Sequence, residues 1–321
     1  MEDKIKHYSK LLVQLKVEVK KVIVGQDEII NAFLRAIIAG GHVLIEGVPG
    51  LAKTTLIRVL SKILGCNFNR VQFTADLLPS DILGLNAFQK DVGFHVIKGP
   101  IFTNILLADE INRVNPKTQS ALIEAMGEKR VTIGNNTFDL ESPFLVFATE
   151  NPIESAGTYP LPAAQLDRFL FKLFINYPTI QEEYNILKRK IGDIQIFEDK
   201  INTLLSSEII REMQSLSRNI YVDPKIKLFV VNLIEATRNY KKYSLKLGKF
   251  IKFGSGPRGT IQLISAARAE ALIQGRNFVV EDDVLNVVND ILRHRIIINY
   301  EGRSKNLTSD HIINEIISIV R

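Results

Sequence analysis

The 321-residue sequence has no tryptophan, 3 methionines and a single cysteine, Cys66. One cysteine cannot form an internal disulfide and leaves no pair for a cysteine-based zinc site, so disulfide scaffolds and zinc ribbons are excluded and a reducing, cytoplasmic setting is expected. Long hydrophobic runs are missing too. No stretch of 18 apolar residues occurs, and the opening MEDKIKHYSKLLVQLKVEVKKV carries a charge every few positions, unlike a signal peptide. The charge surplus is small, 41 basic against 35 acidic residues, and it is concentrated: Arg218 to Arg258 hold 10 basic and 2 acidic residues, leaving the rest slightly acidic. With 46% hydrophobic and 24% charged residues the composition is globular, and the length predicts two domains.

Leu11, Leu12, Leu15, Val19 and Val22 recur at helical spacing, so residues 1–24 read as an amphipathic helix. From 25 to 178 the pattern becomes α/β. Short apolar runs at 42–47, 70–73, 104–109, 144–149 and 169–175 read as buried strands, most of them separated by helical segments, which predicts a parallel sheet with helices on both faces. Two segments interrupt the alternation, 85–98 with Asp91-Val92-Gly93 and 130–140 with Gly134-Asn135-Asn136, and both read as β-hairpins. Beyond Pro178 strand signals fade, so a connecting segment (179–204) and a helical domain (205–321) are expected.

Gly47-Val48-Pro49-Gly50-Leu51-Ala52-Lys53-Thr54 follows the first strand and opens a helix, the setting of a phosphate-binding loop. Backbone N–H groups of the loop from Gly47 to Thr55, Pro49 having none, would surround the phosphates of ATP, Lys53 would reach the β/γ oxygens, and the Thr54 hydroxyl would ligate Mg²⁺. Ala52 stands where a second glycine is expected, and its methyl predicts a negative φ there. The strand ILLADE ends in Asp109 and Glu110, 56 residues beyond Lys53. In a phosphate-loop ATPase the first acid holds Mg²⁺ and the second orients the attacking water. Asn151 ends another buried strand, where an amide can hold that water; taken alone it is more often a turn former, and its context beside the carboxylates promotes it. Arg168 either neutralises transition-state charge or pairs with Asp167 or Glu154. Arg258 opens a helix, where a cation opposes the macrodipole, which points to an anionic partner.

GVPGLAKTT, FTADLLPSDILG, ADEINRVNPKTQSALIEAMGEKRVTI, ATENPIESAGTYPLPAAQLDRFLF and GSGPRG together resemble the MoxR group of AAA+ ATPases, in the helix-2-insert branch that also holds magnesium chelatase and MCM-like helicases. The resemblance runs from VIVGQDEII through EDDV, and alanine before the loop lysine is a habit of the group. It implies a phosphate-loop NTPase core with two hairpin inserts and a smaller helical lid. It further implies Asn151 as sensor 1, Arg168 as an arginine finger reaching a neighbouring subunit, Arg258 as sensor 2, and Val24 and Gly25 beside the adenine. A hexameric ring follows, with closure of the lid through Arg258 signalling to the hairpins. A partner with a von Willebrand factor A domain is implied, the cycle serving chaperone-like assembly or maturation of a client. Ala163 replaces the usual glutamate before AQLDRF, and Gly256 and Gly259 loosen the usual ASPRA.

A nucleic-acid motor of the MCM type would use the basic stretch, but no DNA-binding motif or stacking aromatic set accompanies it. The same core could also serve as a chelatase motor subunit or as a nucleotide-gated scaffold with little turnover. Asp109, Glu110 and Asn151 together argue against the scaffold.

Overall fold

The computed structural model describes residues 1–48, 50–90, 93–152, 157–190 and 201–321. Pro49 of the phosphate loop, Asp91 and Val92 of the first hairpin turn, Glu154 and the middle of the 179–204 connection lie outside the described residues.

Five strands form one parallel sheet: β1 (Val43–Gly47), β2 (Phe68–Gln72), β5 (Ile105–Asp109), β8 (Leu145–Glu150) and β9 (Phe171–Ile175), ordered β2-β5-β8-β1-β9. Alternate side chains feed two separate cores. Val43, Ile45, Leu107, Phe147 and Leu173 enter the larger, with the N-terminal helices and the lid, whereas Leu44, Leu106, Ala108, Val146 and Ala148 enter the smaller. Burial on both faces explains why the three inner strands, β1, β5 and β8, are near-continuous apolar runs, whereas the edge strands β2 and β9 carry exposed residues such as Arg70 and Phe174. The two expected hairpins are β3 (Gly84–Gln89) with β4 (Gly93–Lys98), and β6 (Arg130–Ile133) with β7 (Asn136–Asp139).

Helix α1 (Glu2–Val22) buries Ile5, Tyr8, Leu12, Leu15 and Val19, while Leu11 and Val22 are half-buried. Glu2 and Asp3 in its first turn and Lys20 and Lys21 in its last complement the helix dipole. Helices α2 (Asp27–Ala39), α3 (Lys53–Ile63), α4 (Pro79–Leu83), α5 (Pro116–Glu128), α6 (Ala163–Leu166) and α7 (Ile180–Lys190) accompany the sheet. The lid comprises α8 (Ser207–Arg218), α9 (Pro224–Arg238), α10 (Pro257–Ile273), α11 (Glu281–Leu292), α12 (Tyr300–Ser304) and α13 (Ser309–Val320). It is not wholly helical: β10 (Ile251–Phe253) pairs antiparallel with β11 (Ile297–Ile298). Strands of two and three residues are too short to leave a periodic signature.

Lid and core are fastened by polar contacts. Arg35 of α2 meets Glu270 of α10 at 2.6 Å, both nearly buried. Arg293 donates to the Lys172 carbonyl at 2.8 Å and lies 4.7 Å over the Phe174 ring, and His294 Nε2 donates to the Phe169 carbonyl at 3.2 Å. Cys66 is half-buried, and burial pushes its thiol up to about 11, away from thiolate reactivity.

Candidate nucleotide site

Gly47 ends β1 against β9; a Cβ there would come within 3.0 Å of the Ile175 carbonyl oxygen. Gly50 has φ +88, and a Cβ on it would meet nothing within 4 Å, so the loop opens onto free space. Ala52 corrects the expectation of a negative φ, since its φ is +55. The left-handed conformation costs an L-residue about 1–2 kcal/mol, strain of the kind ligand-binding turns hold. As N-cap of α3, Ala52 supplies no side-chain acceptor, and the first turn contains no acid. The leading N–H groups of α3 therefore lack a capping side chain and offer a seat for an anion. Lys53 Nζ donates to the Gly47 carbonyl at 2.6 Å, folded back onto the loop. Burial lowers its pKa, with Asp109 and Glu110 opposing. Thr54 and Thr55 sit half-buried in the same turn, and Gln26 Nε2 donates to the Leu51 carbonyl at 3.3 Å, drawing the Val24-Gly25 turn beside the loop.

At the end of β5, Asp109 is nearly buried. Its Oδ1 accepts the Thr149 hydroxyl at 2.6 Å, and its Oδ2 accepts Arg70 Nη2 at 2.7 Å and Nε at 3.1 Å. Glu110 has φ +60, its N–H donates to Thr149 Oγ1 at 2.8 Å, and its Oε2 accepts Gln72 Nε2 at 2.7 Å. Arg113 Nε lies 3.2 Å from the same carboxylate. Gln72 lies level with Asp109 in the β2–β5 register, and Thr149 is one step beyond the Ala108–Ala148 pair, so register alone assembles this cluster. Asn151, buried, follows the last residue of β8 at the same sheet edge. Thr54 and Asp109 provide hard oxygen donors, the chemistry of Mg²⁺, and an uncapped helix start with a lysine suits phosphate; the residues present fit Mg-ATP.

Arg168 lies elsewhere. It precedes β9, which runs parallel to β1 with Phe171 opposite Val43 and Ile175 opposite Gly47, so it stands at the end of the sheet away from the phosphate loop. Its Nη1 donates to the Ile123 carbonyl of α5 at 2.7 Å instead of pairing with Asp167. Asp167 is taken by the lid: Arg258 Nη1 at 3.1 Å and buried Arg295 Nε at 2.9 Å. The anionic partner expected of Arg258 is thus a core carboxylate beside Arg168. Arg295 also donates to the Phe169 carbonyl at 2.6 Å and to Gln262.

Arg70, Gln72, Thr149 and Arg295 join these clusters without a motif of their own. The first two leave only a pair of polar residues two apart at a strand, RVQF; Thr149 and Arg295 leave no sign.

The model of the ATPase family associated with various cellular activities (AAA) matches residues 42–171, and that of the AAA lid domain matches 248–316. A protein named Chaperone MoxR1 from Mycobacterium tuberculosis is 40% identical over 94% of this chain and 80% of its own length. Protein MoxR of Methylorubrum extorquens is 30% identical over 92% of this chain and 90% of its own. A crystal structure from Cytophaga hutchinsonii, described as that of a candidate ATPase, superposes with a TM-score of 0.94 at 39% identity, covering 100% of this chain and 97% of that one. With the phosphate loop, paired carboxylates and lid in one frame, the chain belongs to the MoxR group of AAA ATPases.

Proposed function

We propose that the chain binds Mg-ATP at the seam between copies of itself in a closed, six-membered ring, hydrolyses it, and uses the cycle to remodel, assemble or mature a partner protein. The observation that carries this reading is the separation of the site into two halves. Lys53, Thr54, Asp109, Glu110 and Asn151 share the carboxyl edge of the sheet, whereas Arg168 and Arg258 stand at its amino end. One subunit cannot bring both halves to one nucleotide, but a head-to-tail neighbour can, and repeating that contact gives a ring when the rotation between neighbours closes.

A Mg²⁺ held at this edge would supply charge neutralisation to the nucleotide's phosphates. Lys53 would exchange the Gly47 carbonyl for phosphate oxygens, the α3 N–H groups would hold the β-phosphate, and Thr54 and Asp109 are the residues that would hold the metal. Glu110 takes the proton of the attacking water, and Asn151 orients that water. Arg168 gives up the Ile123 carbonyl to reach the neighbour's γ-phosphate, and Arg258 leaves Asp167 for the same target. The client role draws on the name of the 40% identical relative, a chaperone. A partner with a von Willebrand factor A domain and a cytoplasmic setting belong to the same reading. No described helix is long and apolar enough to cross a membrane.

Glu110→Gln should retain labelled ATP in an equilibrium binding assay while phosphate release falls at least about a hundredfold, the scale of a lost general base. Normal turnover in that variant would overturn the assignment.

A further inference from the structure

Arg70 lies on β2, an edge strand of the sheet, and its Nε and Nη2 converge on a single oxygen, Oδ2 of Asp109. The other oxygen, Oδ1, accepts the Thr149 hydroxyl, so both oxygens of the carboxylate are engaged. The two partners differ in exposure: the Asp109 side chain is 12% exposed and that of Arg70 is 47% exposed. A carboxylate that secluded is costly to leave unpaired, whereas a half-exposed guanidinium swings into water at little cost. Asp109 is also where a metal would be held, and a guanidinium 2.7 Å from Oδ2 repels a dication bound to that oxygen.

We propose that Arg70 is a built-in counter-cation, which neutralises Asp109 in the nucleotide-free subunit and withdraws from it when a magnesium nucleotide is bound. Arg70 Nη2 also donates to Gln72 Oε1 at 2.8 Å, and Gln72 donates to Glu110 at 2.7 Å. Withdrawal of Arg70 therefore removes one anchor of the amide that holds the general base, linking the state of Asp109 to the freedom of Glu110. The proposal rests on the reading of Lys53, Thr54 and Asp109 as the magnesium-nucleotide site.

The test is a magnesium titration of fluorescent ATP-analogue binding, by anisotropy, with the intact chain and the Arg70→Ala variant. If Arg70 competes with the metal, Arg70→Ala should lower the Mg²⁺ concentration for half-maximal binding by about threefold to tenfold, the scale of a half-exposed charge-assisted pair. An unchanged or raised midpoint overturns the proposal, because Arg70 would then support the metal-bound carboxylate. An equal gain in affinity with the metal chelated also overturns it, placing the effect on the phosphates. Failure of the unsubstituted chain to bind nucleotide at any Mg²⁺ concentration would instead sink the site reading itself. If Arg70→Ala does not fold, Arg70→Lys, which keeps the charge but loses the fork, carries the same test with a smaller downward shift.

Discussion

Mixing two inactive variants asks whether Arg168 serves its own site or its neighbour's. Arg168 precedes Phe171, which is level with Val43, and four residue steps of a parallel strand, about 13 Å, separate that level from Gly47. On the proposed site the phosphates would lie farther along, beyond Gly47, which puts Arg168 out of reach of a nucleotide in its own subunit. Arg168→Ala alone should cost about a thousandfold or more in turnover, by the scale of arginine fingers. Glu110→Gln alone should be inactive as well. In rings formed from an equal mixture, a seam works when the Arg168→Ala subunit gives its intact carboxylates and the Glu110→Gln subunit gives its intact finger. Random head-to-tail assembly makes about one quarter of the seams of this kind, so phosphate release should return to about a quarter of the unsubstituted rate. Co-assembly is verified by differently tagged chains. Co-assembled rings that stay as inactive as either variant would refute action in trans, and an unimpaired Arg168→Ala ring would remove the finger altogether.

Acid should weaken the fold through His42, which is buried between Val146 N–H, 3.0 Å from Nδ1, and the Met126 carbonyl, 3.1 Å from Nε2. Burial pulls its pKa from 6.5 to about 4, so the folded state binds a proton less readily than the unfolded chain. Stability is therefore full above pH 6.5 and lost as pH falls toward 4, about 2 kcal/mol of it between pH 7 and 5. Urea unfolding at the two pH values should show His42→Gln losing less by that amount; an equal loss in both chains would refute the assignment. Ala52→Gly relieves a φ of +55 but adds freedom to the unfolded chain, and the balance should raise stability by about 0.5 kcal/mol. A lower midpoint in the same assay would show that Ala52 is not strained.

The parts legible in the sequence are those whose signal is local. The inner strands β1, β5 and β8 can be read from their apolar runs because a strand covered on both faces has no polar alternation to obscure it. The phosphate loop and the Asp109-Glu110 pair can be read because a helix start and a strand end fix their geometry within a few residues. Arg70 and Thr149 become visible only through register, which no single strand specifies. Arg295 lies 128 residues from Asp167, a separation across which the sequence holds no spacing rule. Ala52 departs for another reason: residue type predicts a conformation that the loop overrides.

The placement of Arg258 changes what the lid can do. A lid closing over its own nucleotide would direct Arg258 toward Lys53, yet Arg258 and Arg295 both hold Asp167, the residue just before Arg168. Arg293 and His294 fasten the same stretch of core through the Lys172 and Phe169 carbonyls. Three consecutive lid side chains thus grip the segment that carries Arg168, and Arg295 does so while buried, where losing its carboxylate partner would leave an uncompensated charge. The lid and the finger should therefore move as one body. Under the proposed ring, nucleotide sensed by Arg258 at a neighbour's site would shift Arg168 directly, and the subunit seam would be where the state of the nucleotide is felt.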